Sequence, residues 1–349
     1  MVEDVEVVVK SPGVPAQAPP VARARAERVP VWSEVELGYR LLPGNPIVGV
    51  TGTKGKTTTV RLLGAVFEAA GRPVHLGGNE HTPLSELALQ VPEGDWLVCE
   101  LSSFQLEDVH TLSCDVAVLL NLEPDHLDRH GTLEAYRDAK LRIFERAGLT
   151  IARSDLGVGE VPFSAQDPLP AEPRIAGLHN RENAAAATAA ARAAGLPDEA
   201  IATALETFPG VPNRLELIVE RDGVRYVNDS KATNVTAALR GIAAYGQPLH
   251  IILGGSPKGE SFEPLARALS GRDAVAYLIG ATADELAAEL DTEGVRYERA
   301  GDLATAVRDA AAAARPGDIV LLSPACASYD QFQNFEERGE TFRRLVEEL

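Results

Sequence analysis

The chain predicts an α/β protein built on parallel sheets and divided into more than one domain. Three observations predict this. From Ile47 onward, short β-branched runs alternate with segments of helical period. One strand–turn–helix junction, over residues 47–59, is rich in glycine and ends in Lys-Thr. The length of 349 residues exceeds what one hydrophobic core supports.

The elements follow in order. Residues 5–9 predict a strand, Ser11-Pro12-Gly13-Val14-Pro15 a turn, residues 22–28 a helix and residues 29–32 a second strand. That is about half of a small βα domain. Leu42-Pro43-Gly44-Asn45-Pro46 reads as a linker. Residues 96–101 predict a strand entering Ser102-Ser103-Phe104-Gln105, and residues 116–120 another, entering Asn121 to Asp128. Residues 133–147 predict a helix, 151–176 a Pro-rich aperiodic stretch, and 183–194 and 199–207 two further helices. Phe208-Pro209-Gly210-Val211-Pro212 reads as a second linker. Beyond it, residues 225–228, 250–253, 276–279 and 319–322 predict strands, each leading into a polar loop. The domains expected are therefore 1–45, 46–211 and 212–349.

Composition narrows the function. The net charge of −18 argues against nucleic acid and against an anionic membrane surface, while leaving room for a local basic pocket. Cys99, Cys114 and Cys326 lie too far apart for a zinc spacing or a disulfide framework, which fits a reducing cytoplasm. Nothing near Met1 resembles a signal peptide, and no apolar run spans a bilayer.

The chemistry concentrates at strand exits. In the 47–59 junction, Gly52, Thr53, Lys54 and Gly55 form a turn whose N–H groups can face an anion at a helix start. Lys56 would reach terminal phosphates, and the Thr57 hydroxyl, followed by Thr58, would ligate Mg²⁺. Val50 stands where the strict phosphate-loop pattern has its first glycine. Glu100 ends a strand of buried type and can bind Mg²⁺. Asp125-His126-Leu127-Asp128 offers one nitrogen ligand and nearby carboxylates, or equally a helix cap. Lys140, by spacing alone, reads as a surface lysine lying along its helix. Asn228-Asp229-Ser230-Lys231-Ala232-Thr233-Asn234 is too polar and too basic for turn chemistry alone. Gly254-Gly255-Ser256-Pro257-Lys258-Gly259 and the run from Ser323 to Phe332 are further polar exits.

Taken together, Ser11-Pro12-Gly13, residues 51–57, Gly77-Gly78-Asn79, and residues 100–107, 125–129, 136–142, 179–183, 228–234 and 323–339 resemble, in order, the motifs of the Mur ligases. These are the ATP-dependent amide ligases of peptidoglycan synthesis, and the likeness is to their D-glutamate-adding branch. The variant phosphate loop with Val50 is also the family's form. The resemblance implies a partial N-terminal Rossmann-like domain, a central P-loop domain and a C-terminal Rossmann-like domain. It implies UDP-N-acetylmuramoyl-L-alanine and D-glutamate as substrates, with ATP and two Mg²⁺ ions, in a cytoplasmic monomer. Gly52 to Thr58, with Asn180, Asn183, Arg214 and Asp229, would bind ATP. Thr57, Glu100, His126 and Lys140 would serve the metals, Lys140 as a carbamate made with CO₂, and Lys56 would join Glu100, His126 and Lys140 in catalysis. Ser11, Asn79, Ser102 and His126 would face the muramoyl substrate. Lys231, Thr233, Lys258, Ser328 and Phe335 would surround D-glutamate.

The chain also departs from the pattern. Lys54 replaces an Asn, Glu80-His81 replaces Ile-Gly, and Asn213 stands where a His commonly precedes Arg214. The glycine-rich UDP loop of the family has no counterpart beyond Ser11, so weakened UDP binding is expected. Other readings are a folylpolyglutamate-type or amidotransferase-coupled ligase of the same fold, a plain P-loop ATPase, or a nucleotide-binding protein without ligase activity. The 323–339 block argues against both other ligases, Lys231, Thr233 and Ser328 at separate strand ends against the ATPase, and the metal carboxylates with Lys140 against the last.

Overall fold

The computed structural model describes residues 5–349. They form two compact units, one running to Arg174 and including His179–Phe208, the other made of Ile175–Leu178 and Pro209–Leu349.

The first unit opens with β1 (Val8–Lys10), α1 (Pro19–Ala26), β2 (Val31–Ser33) and α2 (Glu34–Leu41). β1 and β2 pair in parallel beside a small cluster of Val21, Ala24 and Val31. Helix α2 has no counterpart among the sequence expectations, because Gly38 in its middle weakens the helical signal. That glycine is there for packing: a Cβ on it would meet the backbone carbon of Leu84 at 2.5 Å. Glu36 fixes the same helix, accepting N–H bonds from His110 (2.8 Å), Thr111 (3.0 Å) and Leu112 (3.1 Å).

There follow β3 (Ile47–Thr51), α3 (Lys56–Ala69), β4 (Val74–Gly78), α4 (Leu84–Leu87), β5 (Trp96–Glu100), α5 (Ser103–Leu106) and β6 (Val116–Leu119). The unit continues with α6 (Leu127–His130), α7 (Leu133–Leu141), β7 (Leu149–Arg153), β8 (Val161–Phe163), α8 (Leu178–Ala193) and α9 (Asp198–Thr207). The strands form a parallel sheet in the order β4-β5-β3-β6-β7-β8. All five residues of β3 are buried, as a central strand covered on both faces requires. Two sequence expectations need correction. The 133–147 helix stops at Leu141 and tightens into a 3₁₀ turn over Arg142–Phe144. The stretch 151–176 contains most of β7 and all of β8; Pro162 hides β8 from sequence patterning and suits its place at the sheet edge.

The second unit comprises β9 (Glu216–Arg221), β10 (Val224–Asn228), α10 (Val235–Ala243), β11 (Leu249–Gly254), α11 (Glu263–Leu269) and β12 (Ala274–Ile279). It ends with α12 (Ala283–Thr292), β13 (Arg296–Gly301), α13 (Leu303–Ala313), β14 (Ile319–Leu322) and α14 (Phe335–Glu347). Its strand order is β13-β12-β11-β14-β10-β9, parallel except for β9. The β9–β10 hairpin turns on Asp222 and Gly223, both at positive φ, the form a tight hairpin favours. β13 shows no apolar alternation, which is why it escapes sequence patterning.

Candidate active site

In the first unit the chain passes from β3 out to β4, back to β5, and then to β6 on the opposite side of β3. Ligands bind beyond the carboxyl ends of strands at such a switch. Register brings the exits together, with Val50 opposite Glu100 and Thr51 opposite Leu119.

The β3 exit is held by the β6 exit. Asn121 accepts from the Lys54 N–H at 2.9 Å and donates to the Lys54 carbonyl at 3.0 Å. The Thr53 hydroxyl bonds the Glu123 backbone and accepts from the Tyr136 hydroxyl at 3.1 Å. The Lys54 ammonium pairs with Glu123. Gly55 caps α3 at φ 85°, and a Cβ there would run into the amide of Asn183. So buried Asn183 lies against the glycine-rich turn, and its amide donates to that of buried Asn180 at 3.4 Å. Lys56 Nζ donates to the carbonyls of Gly52 (3.0 Å) and Thr53 (3.2 Å). The N–H groups of Lys56, Thr57 and Thr58 open α3 without helical acceptors behind them.

Lys140 is not a surface lysine. It is 2% exposed, and its Nζ donates to the Gly52 carbonyl at 2.8 Å, sharing that acceptor with Lys56. Burial, then the Lys56 charge, push its pKa down to about 6 against the pull of Asp125. An amine so placed is substantially neutral near neutral pH.

Glu100 is 1% exposed. Asn79 Nδ2 donates to its Oε1 at 3.3 Å, and the Asn79 N–H to its carbonyl at 2.9 Å. The other carboxylate oxygen, Oε2, is buried with no hydrogen-bond partner among the described residues. Its neighbour is His81 Nε2 at 3.8 Å, itself buried and unpartnered. Burial lowers the His81 pKa, partly opposed by Glu100. Gly78, at φ 97°, makes this approach possible, since a Cβ on it would strike the Glu100 backbone.

His126 adopts φ 52° and caps α6, its ring half-exposed and 4.8 Å from that of Phe104. Ser102 is committed to a capping box with Gln105 at the start of α5. Ser11 lies exposed in a turn tied to this region by Arg129. That side chain donates to the carbonyls of Pro12 (2.8 Å) and Val14 (3.2 Å) and lies 3.9 Å over the Phe104 ring. Among the described residues, no group of three or more His, Cys, Asp or Glu forms a metal cage.

In the second unit three adjacent strands, β11, β14 and β10, supply the exits. Lys258 Nζ donates to the Thr233 hydroxyl at 3.2 Å, and Lys231 Nζ sits 5.0 Å from the centre of the Phe335 ring. Asp229 is buried, accepting from the Ser323 hydroxyl at 2.7 Å and the Leu215 N–H at 3.3 Å. Burial raises its pKa to about 7, opposed by these bonds and by the charge of Arg214. Ser328 is buried in the β14 exit.

Sequence reasoning assigned no role to Asn121, Tyr136, Arg129 or Arg338. Arg338 is 1% exposed and bonds Ser230 Oγ (3.0 Å), the Ser230 carbonyl (2.8 Å) and the Cys326 carbonyl (3.1 Å). Desolvation lowers its pKa to about 10. A signal was present: Arg338, Phe342 and Val346 repeat every four residues, so the arginine shares the buried face of α14.

Known proteins resemble this chain along nearly its whole length. Residues 50–156 match the Mur ligase middle domain, and residues 213–326 the Mur ligase glutamate ligase domain. The UDP-N-acetylmuramoylalanine–D-glutamate ligase of Anaeromyxobacter dehalogenans is 45% identical, over 98% of this chain and 84% of its own length. The protein of the same name from Sphingopyxis alaskensis is 44% identical, over 98% and 84%. Among solved structures, MurC of Thermotoga maritima matches with a TM-score of 0.65 at 19% identity, covering 99% of this chain and 85% of its own. MurF of Thermotoga maritima, in complex with ADP, matches at 0.62 and 18%, covering 100% and 97%. E. coli FolC, in complex with DHPP and ADP, matches at 0.61 and 20%, covering 90% and 92%. At these identities the structural matches establish the shared fold.

Proposed function

Because this chain belongs to the Mur ligase family, we propose that it joins D-glutamate to UDP-N-acetylmuramoyl-L-alanine at the expense of ATP, in peptidoglycan precursor synthesis. The observation that carries this reading is the 45% identity, over nearly the whole chain, to a ligase of that name. The site chemistry accords with it. The alanyl carboxylate attacks the ATP γ-phosphorus, ADP leaves, and the acyl phosphate forms. The D-glutamate amine then attacks that carbonyl carbon, gives up a proton, and inorganic phosphate departs.

We assign the phosphate grip to the N–H groups opening α3 and to Lys56, which exchanges the Gly52 and Thr53 carbonyls for phosphoryl oxygens. Asn180, Asn183, Arg214 and Asp229 are each assigned to the nucleotide. Thr57, Glu100, His126 and Lys140 are the residues we propose to hold two Mg²⁺ ions, whose charge offsets that of the transferring phosphoryl group. The unpartnered buried Oε2 of Glu100 fits that role, and the missing three-residue cage does not oppose it, because Mg²⁺ keeps waters and substrate phosphates as ligands.

Lys140 joins the set once carbamylated: its neutral amine attacks CO₂, a C–N bond forms and a proton is released. The burial of Lys140 beside a second lysine supports this, since the product is an anion. Asn79, Ser102, His126 and Ser11 are assigned to the muramoyl substrate, and Lys231, Thr233, Lys258, Ser328 and Phe335 to D-glutamate. In this reading residues 1–45, 46–211 and 212–349 serve the UDP substrate, ATP and the amino acid. The protein acts as a cytoplasmic monomer. Its three cysteines are free and buried, and no helix of the described residues is long and apolar enough to cross a membrane.

Phosphate release with UDP-N-acetylmuramoyl-L-alanine, ATP and a panel of amino acids tests the proposal. Release that depends on D-glutamate supports it. Release without any amino acid indicates a plain ATPase, and dependence on a different acceptor indicates another ligase of this fold.

A further inference from the structure

Glu80-His81 is a departure from the family pattern that the reaction described above does not use. The side chains of His81 and Glu100 are 8% and 2% exposed, and Nε2 and Oε2 face each other at 3.8 Å. Neither atom has a hydrogen-bond partner among the described residues. A buried polar atom left unpaired costs about 1–3 kcal/mol, so two facing each other are an uncommon coincidence. The arrangement is braced on both sides. Asn79 holds the other carboxylate oxygen, turning Oε2 toward the imidazole, and the His81 N–H donates to the Gly78 carbonyl at 3.1 Å.

From this pair we infer that His81 is an additional ligand for a divalent cation at Glu100, giving that site a nitrogen donor. An ion about 2.1 Å from each atom sits between them at a bond angle of roughly 130°. Tetrahedral or octahedral coordination needs only a modest closing of the gap, which a histidine on a short turn can make. The consequence is metal preference. Mg²⁺ is a hard ion that takes oxygen, whereas imidazole favours first-row transition ions, in the order Mn²⁺ below Co²⁺ below Ni²⁺. The site therefore selects Mn²⁺ or Co²⁺ over Mg²⁺, beyond what Glu100 with water and phosphate would do. The inference rests on the reading of Glu100 as a metal carboxylate.

Mn²⁺ binding by the full chain, followed by electron paramagnetic resonance with a non-hydrolysable ATP analogue present, tests it without reference to turnover. Pulsed measurements on His126→Gln, which lacks the imidazole already assigned to the metals, should show hyperfine coupling from a histidine nitrogen, which ¹⁵N-histidine labelling alters. Adding His81→Gln to that variant should abolish the coupling and weaken Mn²⁺ binding at least tenfold further, with Mg²⁺ competition changed less than threefold. Mn²⁺ bound to His126→Gln with no nitrogen coupling, where Glu100→Gln weakens binding, overturns the His81 assignment and leaves the Glu100 reading standing. Binding unchanged by Glu100→Gln overturns both. Residual Mn²⁺ binding and an unchanged circular dichroism spectrum show that each variant is folded when its coupling is read.

Discussion

At the scale of single residues, the site is a problem of placing charge where water cannot reach it. Lys56 and Lys140 converge on one carbonyl, Gly52. Lys56 belongs to the loop, while Lys140 is driven toward its neutral form by burial and then by the Lys56 charge. Lys56→Ala should abolish turnover while leaving the melting temperature within a few degrees, since a loop lysine adds little to the core. Turnover within a few-fold of wild type would remove the phosphate-loop assignment. Lys140→Ala should be nearly inactive and partly rescued by formate or acetate; in wild type, ¹³CO₂ should yield a carbamate carbon resonance that this variant lacks. Asp229 carries a different signature. Its folded pKa, about 7, lies above the 3.8 of a free aspartate, so the folded state holds a proton that the unfolded chain gives up. Its contribution is full below about pH 4 and is lost as pH rises through 7. Urea titrations from pH 4 to 8 should show stability falling in wild type and falling less in Asp229→Asn. Equal slopes would mean that Asp229 ionises freely.

Elements inherit their positions from such residues. Helix α2 is fixed by Glu36, whose carboxylate burial alone would raise in pKa. The N–H groups of His110 and Thr111, the Thr111 hydroxyl and Arg40 outweigh burial and bring it down to about 2. The sign is opposite to that of Asp229: this stabilisation is full above the usual carboxylate pKa and disappears as pH falls through 2. A depression from 4.5 to about 2 corresponds to roughly 3 kcal/mol. Glu36→Gln should therefore cost about 2–3 kcal/mol at pH 7 and flatten acid unfolding below pH 5, as followed by circular dichroism. What sequence could disclose about elements depended on periodicity. β3 through α3 was legible because five buried residues run straight into glycine and Lys-Thr. Helix α2 was not, since Gly38 answers to the backbone of Leu84, a partner distant in sequence. Likewise β8 carries a proline and β13 faces solvent at most positions. Lys140 shows the same limit at the site, because its helix spacing says surface and only the tertiary fold buries it.

For the molecule as a whole, the net charge of −18 sets a field that opposes the approach of anionic substrates such as nucleotides and UDP-linked precursors. Raising ionic strength from about 10 to 150 mM shortens the screening length from roughly 30 to 8 Å. The KM for the UDP substrate should then fall or hold steady, whereas a site steered by a basic surface would show it rise; initial-rate measurements across that salt range distinguish the two. The second unit carries a further consequence, of timing during synthesis. Its sheet is centred on β14, a late strand inserted between β11 and β10, and its exits are tied by Arg338, later still. Until the ribosome has released those residues, β10 and β11 lack their shared neighbour and offer unpaired edges. The first unit meets no such delay, because none of its strands lies beyond Phe163. A nascent chain halted before Ile319 should therefore pass through a window in which its nucleotide-loop half resists protease while its later half is cut and self-associates, and that window closes only when α14 arrives to knot the loops.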